Sequence, residues 1–282
     1  MRLIRTWIAF SALIMSSLVM ANNASDTSPL RVGMLPSLSL QKLFYRFKPL
    51  QTYLSRAMHR PVLLLTASDF GTYMYRASKY KYDLYFAAPH MAALAEKDSG
   101  YRRVSMFTRD LSGYLIVRRD GKIKKINDLK GGTVSVPEPL AIVTMMGENM
   151  LEQHHLVPGK DIKIDYSTTH NNAILALITG KADAAIVSSG IFDIAKPSIR
   201  NKLEILARTS SVSHLMFMAS PKLPEQEYQK LKQAMLKFTA DGPGKEFFRR
   251  APYGDMTEIQ DSNMQNMQRY IRKLKQRLPW AK

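Results

Sequence analysis

Apolar positions along this chain alternate between two spacings. Leu30-Arg31-Val32-Gly33-Met34-Leu35 reads as a strand stopped by Pro36. Leu40, Leu43, Phe44, Phe47, Leu50 and Leu54 then recur at helical spacing, and Pro49 inside that pattern predicts a kink or a restart. Val62-Leu63-Leu64-Leu65 is a short continuous apolar run, the pattern of a strand buried on both faces. Asp83 to Phe86 predicts a further strand, and Met91 to Ala95 starts a helix.

The same alternation continues downstream. Strands are predicted at Leu115 to Val117, Thr133 to Val136, Ile162 to Ile164, Ala182 to Val187, Leu203 to Leu206 and Leu215 to Met218. Met145 to Leu156 and Ala173 to Ile178 read as helices, the second stopped by Gly180. Two helices close the chain, one marked by Tyr228, Leu231, Met235 and Phe238, the other by Met264, Met267, Ile271, Leu274 and Leu278. Strands alternating with helices predict an α/β protein with predominantly parallel sheets. Such sheets bind ligands beyond the carboxyl ends of their strands, here the loops after Leu35, Thr66, Phe86, Val136, Tyr166 and Val187.

The N-terminus changes the picture. Arg2 and Arg5 precede an apolar run from Trp7 to Val19, and Val19-Met20-Ala21 suits a signal peptidase. Residues 1–21 are therefore expected to be a signal peptide cleaved after Ala21; the other reading of the run is an uncleaved anchor. Asn22 to Pro29 lacks periodicity and reads as a disordered lead. With no cysteine there is neither a disulfide framework nor a lipoprotein anchor, so a protein free in the periplasm is expected. The formal charge is +18, or +16 once Arg2 and Arg5 leave with the leader. This favours anionic partners, but the basic residues are scattered and read mostly as a solvated surface. No nucleic-acid motif is present, and membrane contact is expected only through the signal peptide or weak surface electrostatics.

Chemistry-bearing motifs are sparse. No nucleophile elbow, phosphate loop or zinc-binding spacing occurs, so no enzymatic activity, metal or cofactor is expected. Tyr73, Tyr75, Tyr80, Tyr82 and Tyr85 interleave with Arg76, Lys79 and Lys81; the stripe is read as packing, with one or two rings open to a cleft role. His154 and His155 read as solvated.

An ordered series of segments resembles the periplasmic phosphonate-binding protein family. It comprises Phe47 to Ser55, Arg60-Pro61-Val62, Asp83 to Pro89, Asp128-Leu129-Lys130-Gly131, Ser167-Thr168-Thr169-His170 and Gly180 to Ala184, within Leu30 to Ser220. The resemblance implies a two-lobed type II periplasmic binding fold with two crossover hinge segments, near Ser112 to Tyr114 and Arg208 to Ser213. Lobe 1 would comprise 22–113 and 209–282, and lobe 2 would comprise 114–208. It also implies a monomer holding a small-molecule ligand in the interlobe cleft, with an ABC permease as partner.

The family's anion site is a Ser-Thr-Ser cluster at a helix start, with tyrosines, a histidine and an acid. Carried over by position, the cluster becomes Leu140-Ala141-Ile142, the tyrosines become Phe70 and Leu111, and the acid becomes Ser188. Only the histidine, His170, stays. A phosphonate dianion facing these side chains would lack partners, so a less charged or partly apolar ligand is expected. In another register Tyr114, Thr144 or Ser167 to Thr169 would supply hydroxyls. His170 either meets ligand or bonds locally, and His90, after Ala88-Pro89, lies either in the cleft or on the surface. The candidate ligand-binding residues are therefore Phe70, His90, Leu111, Leu140, Ala141, Ile142, His170 and Ser188.

Overall fold

A computed structural model describes residues 28–251 and 253–280. The expected signal peptide, and the lead as far as residue 27, lie outside the described residues. No helix among the described residues is long and apolar enough to cross a membrane.

The first half of the chain runs β1 (Leu30–Met34), α1 (Leu40–Met58), β2 (Val62–Leu65), α2 (Phe70–Ser78), β3 (Leu84–Ala87), α3 (Pro89–Ser99), β4 (Arg102–Phe107) and β5 (Gly113–Arg118). After β5 come β6 (Thr133–Val136), α4 (Ile142–Gln153), β7 (Lys163–Tyr166), α5 (His170–Ile178), β8 (Ala184–Ser188), α6 (Ser189–Asp193), α7 (Pro197–Arg200) and β9 (Leu203–Arg208). The chain ends with β10 (Met216–Ala219), α8 (Glu225–Lys237), α9 (Gly242–Arg250), β11 (Met256–Thr257), α10 (Asp261–Gln265) and α11 (Gln268–Arg277).

Two sheets result, with orders β11-β4-β10-β3-β1-β2 and β7-β6-β8-β5-β9. The chain passes from the first to the second between β4 and β5 and returns between β9 and β10, where Leu111 and Val212 bridge the two crossings. The first crossing therefore starts earlier than the expected Ser112 to Tyr114, because Gly113 already belongs to β5. Both sheets are mixed, which corrects the expected parallel predominance. β10 runs antiparallel between β3 and β4, and β5 runs antiparallel between β8 and β9. A strand that enters or leaves a sheet through a crossing need not follow the helix-linked direction of its neighbours.

Other departures have local causes. β2 is an edge strand and Leu63 is 46% exposed, so its apolar run covers only one face against α1. α1 continues through Pro49 without a restart. Its buried stripe of Leu43, Phe47, Leu50 and Leu54 gains roughly 1.5–3 kcal/mol per side chain, enough to offset one lost backbone bond. Among the described residues four α-helices, not two, follow β10, and β4 has no clean apolar period because Arg102 and Arg103 interrupt it. α4 lies so close to β8 that a Cβ on Gly147 would stand 2.5 Å from Ile186 Cδ1, which is why glycine fits that turn. Of the tyrosine stripe, Tyr73, Tyr82 and Tyr85 are packing, buried with ring centroids 5.1–6.2 Å apart, whereas Tyr75 is 45% exposed. His154 and His155 are exposed.

Candidate functional site

All six loops expected at strand carboxyl ends converge on one cavity of about 70 Å³. β1 is followed by Leu35, Ser37 and Leu38, α2 opens with Phe70, and β3 is followed by Ala88. From the second sheet come Ala141, Ile142 and Val143 after β6, His170 after β7, and Ser188, Gly190 and Ile191 at and after β8. The crossings add Leu111, His214 and Leu215, and Arg46 and Tyr253 complete the wall. The space holds about five water-sized groups, well under an ordinary small-molecule pocket. A larger groove of about 720 Å³ runs outside β7, but its Lys273 and Arg277 are already committed to Glu148.

Six of the eight candidate residues line the cavity: Phe70, Leu111, Ala141, Ile142, His170 and Ser188. Leu140 and His90 do not, which corrects their placement. Leu140 precedes the turn into α4, its N–H donates to Glu138 Oε2 at 3.1 Å, and its side chain is 7% exposed. His90 is neither in the cleft nor on the surface; it is fully buried in α3. Its Nε2 lies 2.9 Å from the Leu140 carbonyl oxygen. A carbonyl only accepts, so Nε2 carries the proton and Nδ1 is bare, with no partner. Burial pushes the ring down to about 4.

His170 is the first residue of α5, whose cap is Thr169 accepting from the Asn172 N–H. Its Nδ1 accepts from the Ser188 N–H at 3.2 Å, and burial pushes the ring down to about 4. The neutral ring therefore carries its proton on Nε2, leaving one N–H donor on a cavity-lining residue.

The alternative hydroxyl sources do not reach the cavity. Thr144 is fully buried and its Oγ1 is without a partner. Ser167 Oγ is held by Ser135 Oγ and the Asp165 carboxylate. Tyr114 packs under Phe192 and the Arg208 guanidinium. What remains is a mostly apolar wall, together with the amides of Ile142, Val143 and Thr144, which have no acceptor within α4.

Four residues of consequence were not read from sequence. Glu138 stands beside the cavity; its Oε1 accepts from the Phe70 N–H at 3.3 Å and its Oε2 from the Leu140 N–H. Burial pushes this carboxyl above its ordinary range, opposed by those two bonds. Arg46 comes from α1 and donates to the Tyr253 hydroxyl at 3.0 Å. Tyr253 is held by stacking on Phe107, centroid to centroid 4.4 Å. His214 is 6% exposed, and burial with the charge of Arg109 pushes it down to about 4. His214 had a signal, since it follows a predicted crossing that must pass the cleft. Arg46 and Tyr253 had none, because neither follows a strand.

Comparisons with known proteins agree on the fold. The family described as ABC transporter, phosphonate, periplasmic substrate-binding protein matches residues 32–264. PhnD1 from Prochlorococcus marinus, solved with methylphosphonate, superposes with a TM-score of 0.79 at 17% identity, over 88% of this chain and 99% of that one. A binding protein component of an ABC phosphonate transporter from Pseudomonas aeruginosa gives 0.79 at 15% identity, over 89% and 88%. The periplasmic aliphatic sulphonate binding protein SsuA from Escherichia coli gives 0.60 at 14%, over 89% and 94%.

Proposed function

Since this chain belongs to the phosphonate-type periplasmic substrate-binding family of ABC transporters, we propose that it serves an importer whose solute is small and less charged than a phosphonate dianion. The family binds solute and is not enzymatic, so the task is recognition and presentation. The observation that carries the reading is the cavity itself: about 70 Å³, walled by Phe70, Leu111, Ala141, Ile142 and Val143. A dianion there would meet a mostly apolar wall with a single guanidinium, that of Arg46, which cannot neutralise it. We assign the segments before β5 and after β9 to lobe 1 and β5 to β9 to lobe 2, closing about the two crossings.

Native mass spectrometry of gently purified protein tests this reading. A small molecule of roughly six heavy atoms should travel with the folded chain and leave on denaturation. Protein that carries nothing, and that shows no compaction by small-angle scattering across a broad solute panel, would contradict it.

A second reading, a sensory or interaction protein that keeps the fold, has one specific support. The segment Glu138–Leu140 leaves the second sheet and is gripped by three elements packed on the first. Phe70 of α2 donates to Glu138, Arg277 of α11 to the Pro139 carbonyl, and His90 of α3 to the Leu140 carbonyl. These bonds hold the lobes together without solute. Under this reading a pull-down recovers a non-importer partner in a salt-sensitive way; recovery of importer subunits alone counts against it.

A further inference from the structure

The cavity contains one cation, and nothing among the described residues neutralises it. Arg46 has no carboxylate partner among the described residues; its Nη1 donates to the Tyr253 hydroxyl and its guanidinium lies over that ring. No acidic residue lines the cavity among the described residues. Because Tyr253 accepts from Arg46, its own proton is left to donate. Beside Tyr253, His214 is enclosed against Phe107 and Tyr253, with ring centroids at 5.7 and 5.3 Å. It is 6% exposed, yet its Nδ1 has no hydrogen-bond partner. A buried polar atom without a partner is costly, and the His214 residue that carries it lines the cavity.

Resting on the solute-binding reading above, we propose that Arg46 and Tyr253 receive the acid group of a small monocarboxylate, and that His214 pairs with a hydroxyl or keto oxygen adjacent to it. One guanidinium matches one planar carboxylate through two parallel N–H bonds. It cannot neutralise a dianion. The hydrocarbon remainder of the solute meets Ala141, Ile142 and Val143 on the facing wall, with the His170 N–H as a further donor. The volume limits such a solute to roughly six heavy atoms, the size of lactate or pyruvate.

The test is calorimetric titration of the full mature chain, stripped of solute by unfolding and refolding, with lactate, pyruvate, acetate, methylphosphonate and methanesulfonate. Lactate or pyruvate should bind at least about tenfold tighter than methylphosphonate and methanesulfonate. Arg46→Gln should weaken that binding by about 30-fold or more, and Arg46→Lys by less, since an ammonium keeps the charge but loses the fork. His214→Phe should erase the preference for lactate or pyruvate over acetate. Arg46 is half-buried on the flank of α1, so circular dichroism should find Arg46→Gln folded. Failure of all three carboxylates to bind, equal binding of methylphosphonate, or an unchanged affinity in Arg46→Gln would each overturn the assignment. A different solute found by native mass spectrometry would overturn this assignment alone and leave the solute-binding reading standing.

Discussion

Acidification from about pH 7 to about pH 4.5 is expected to remove several kcal/mol of stability, and two buried histidines account for most of it. His90 and His214 titrate near 4 in the folded protein, against an ordinary 6.5. Both shifts come first from burial, and Arg109 adds to the second. The folded-state values are depressed, so the unfolded chain binds protons first as pH falls. Stability is therefore full above about 6.5 and declines between about 6.5 and about 4. At 1.36 kcal/mol per unit, each ring contributes roughly 2–3 kcal/mol by about pH 4.5. His170 acts in the same direction. Urea unfolding at the two pH values measures the loss. His90→Gln keeps a donor for the Leu140 carbonyl, and His214→Phe keeps a ring against Phe107. The double variant should lose far less stability on acidification; a loss equal to that of the unsubstituted protein would contradict the assignment to these rings.

Arg277→Ala is expected to cost about 3 kcal/mol or more. Glu148 of α4 is 3% exposed, and Arg277 of α11 donates to its Oε2 at 2.6 Å. Without the guanidinium, that buried carboxylate keeps Lys273, whose Nζ is 3.9 Å away, and a hydrogen bond with the Tyr166 side chain. Arg277 also donates to the Pro139 carbonyl at 2.6 Å, so the same substitution loosens the turn into α4. Two effects should appear together: a lower midpoint in urea, and faster amide hydrogen exchange at the start of α4. Replacing both partners, Glu148→Leu with Arg277→Leu, should recover much of the stability, because no buried charge is then left alone. A double variant as unstable as Arg277→Ala would place the loss in the Pro139 contact instead.

The fold was legible where one element carries one clean period, as in β1, α1, α5 and β8. It was less legible where burial is one-sided. The Val62 to Leu65 run has the composition of a central strand but forms an edge, because apolar runs do not encode neighbours. α4 starts three residues before the predicted Met145, since Ile142 and Val143 carry no capping signal. That offset matters, because those residues form one cavity wall. The cavity was partly legible because strand carboxyl ends predict where a cleft lies. Arg46 and Tyr253 were not, since a helix flank and a late loop reach the cavity through tertiary packing alone. His90 misled because following a strand's carboxyl end fixes the loop and not the depth of the side chain.

Calorimetric titration of solute-stripped protein with methylphosphonate tests the central claim most directly. A cavity walled by Phe70, Leu111, Ala141 and Ile142 should give no binding tighter than about 1 mM. Micromolar binding, accompanied by compaction in small-angle scattering, would contradict it.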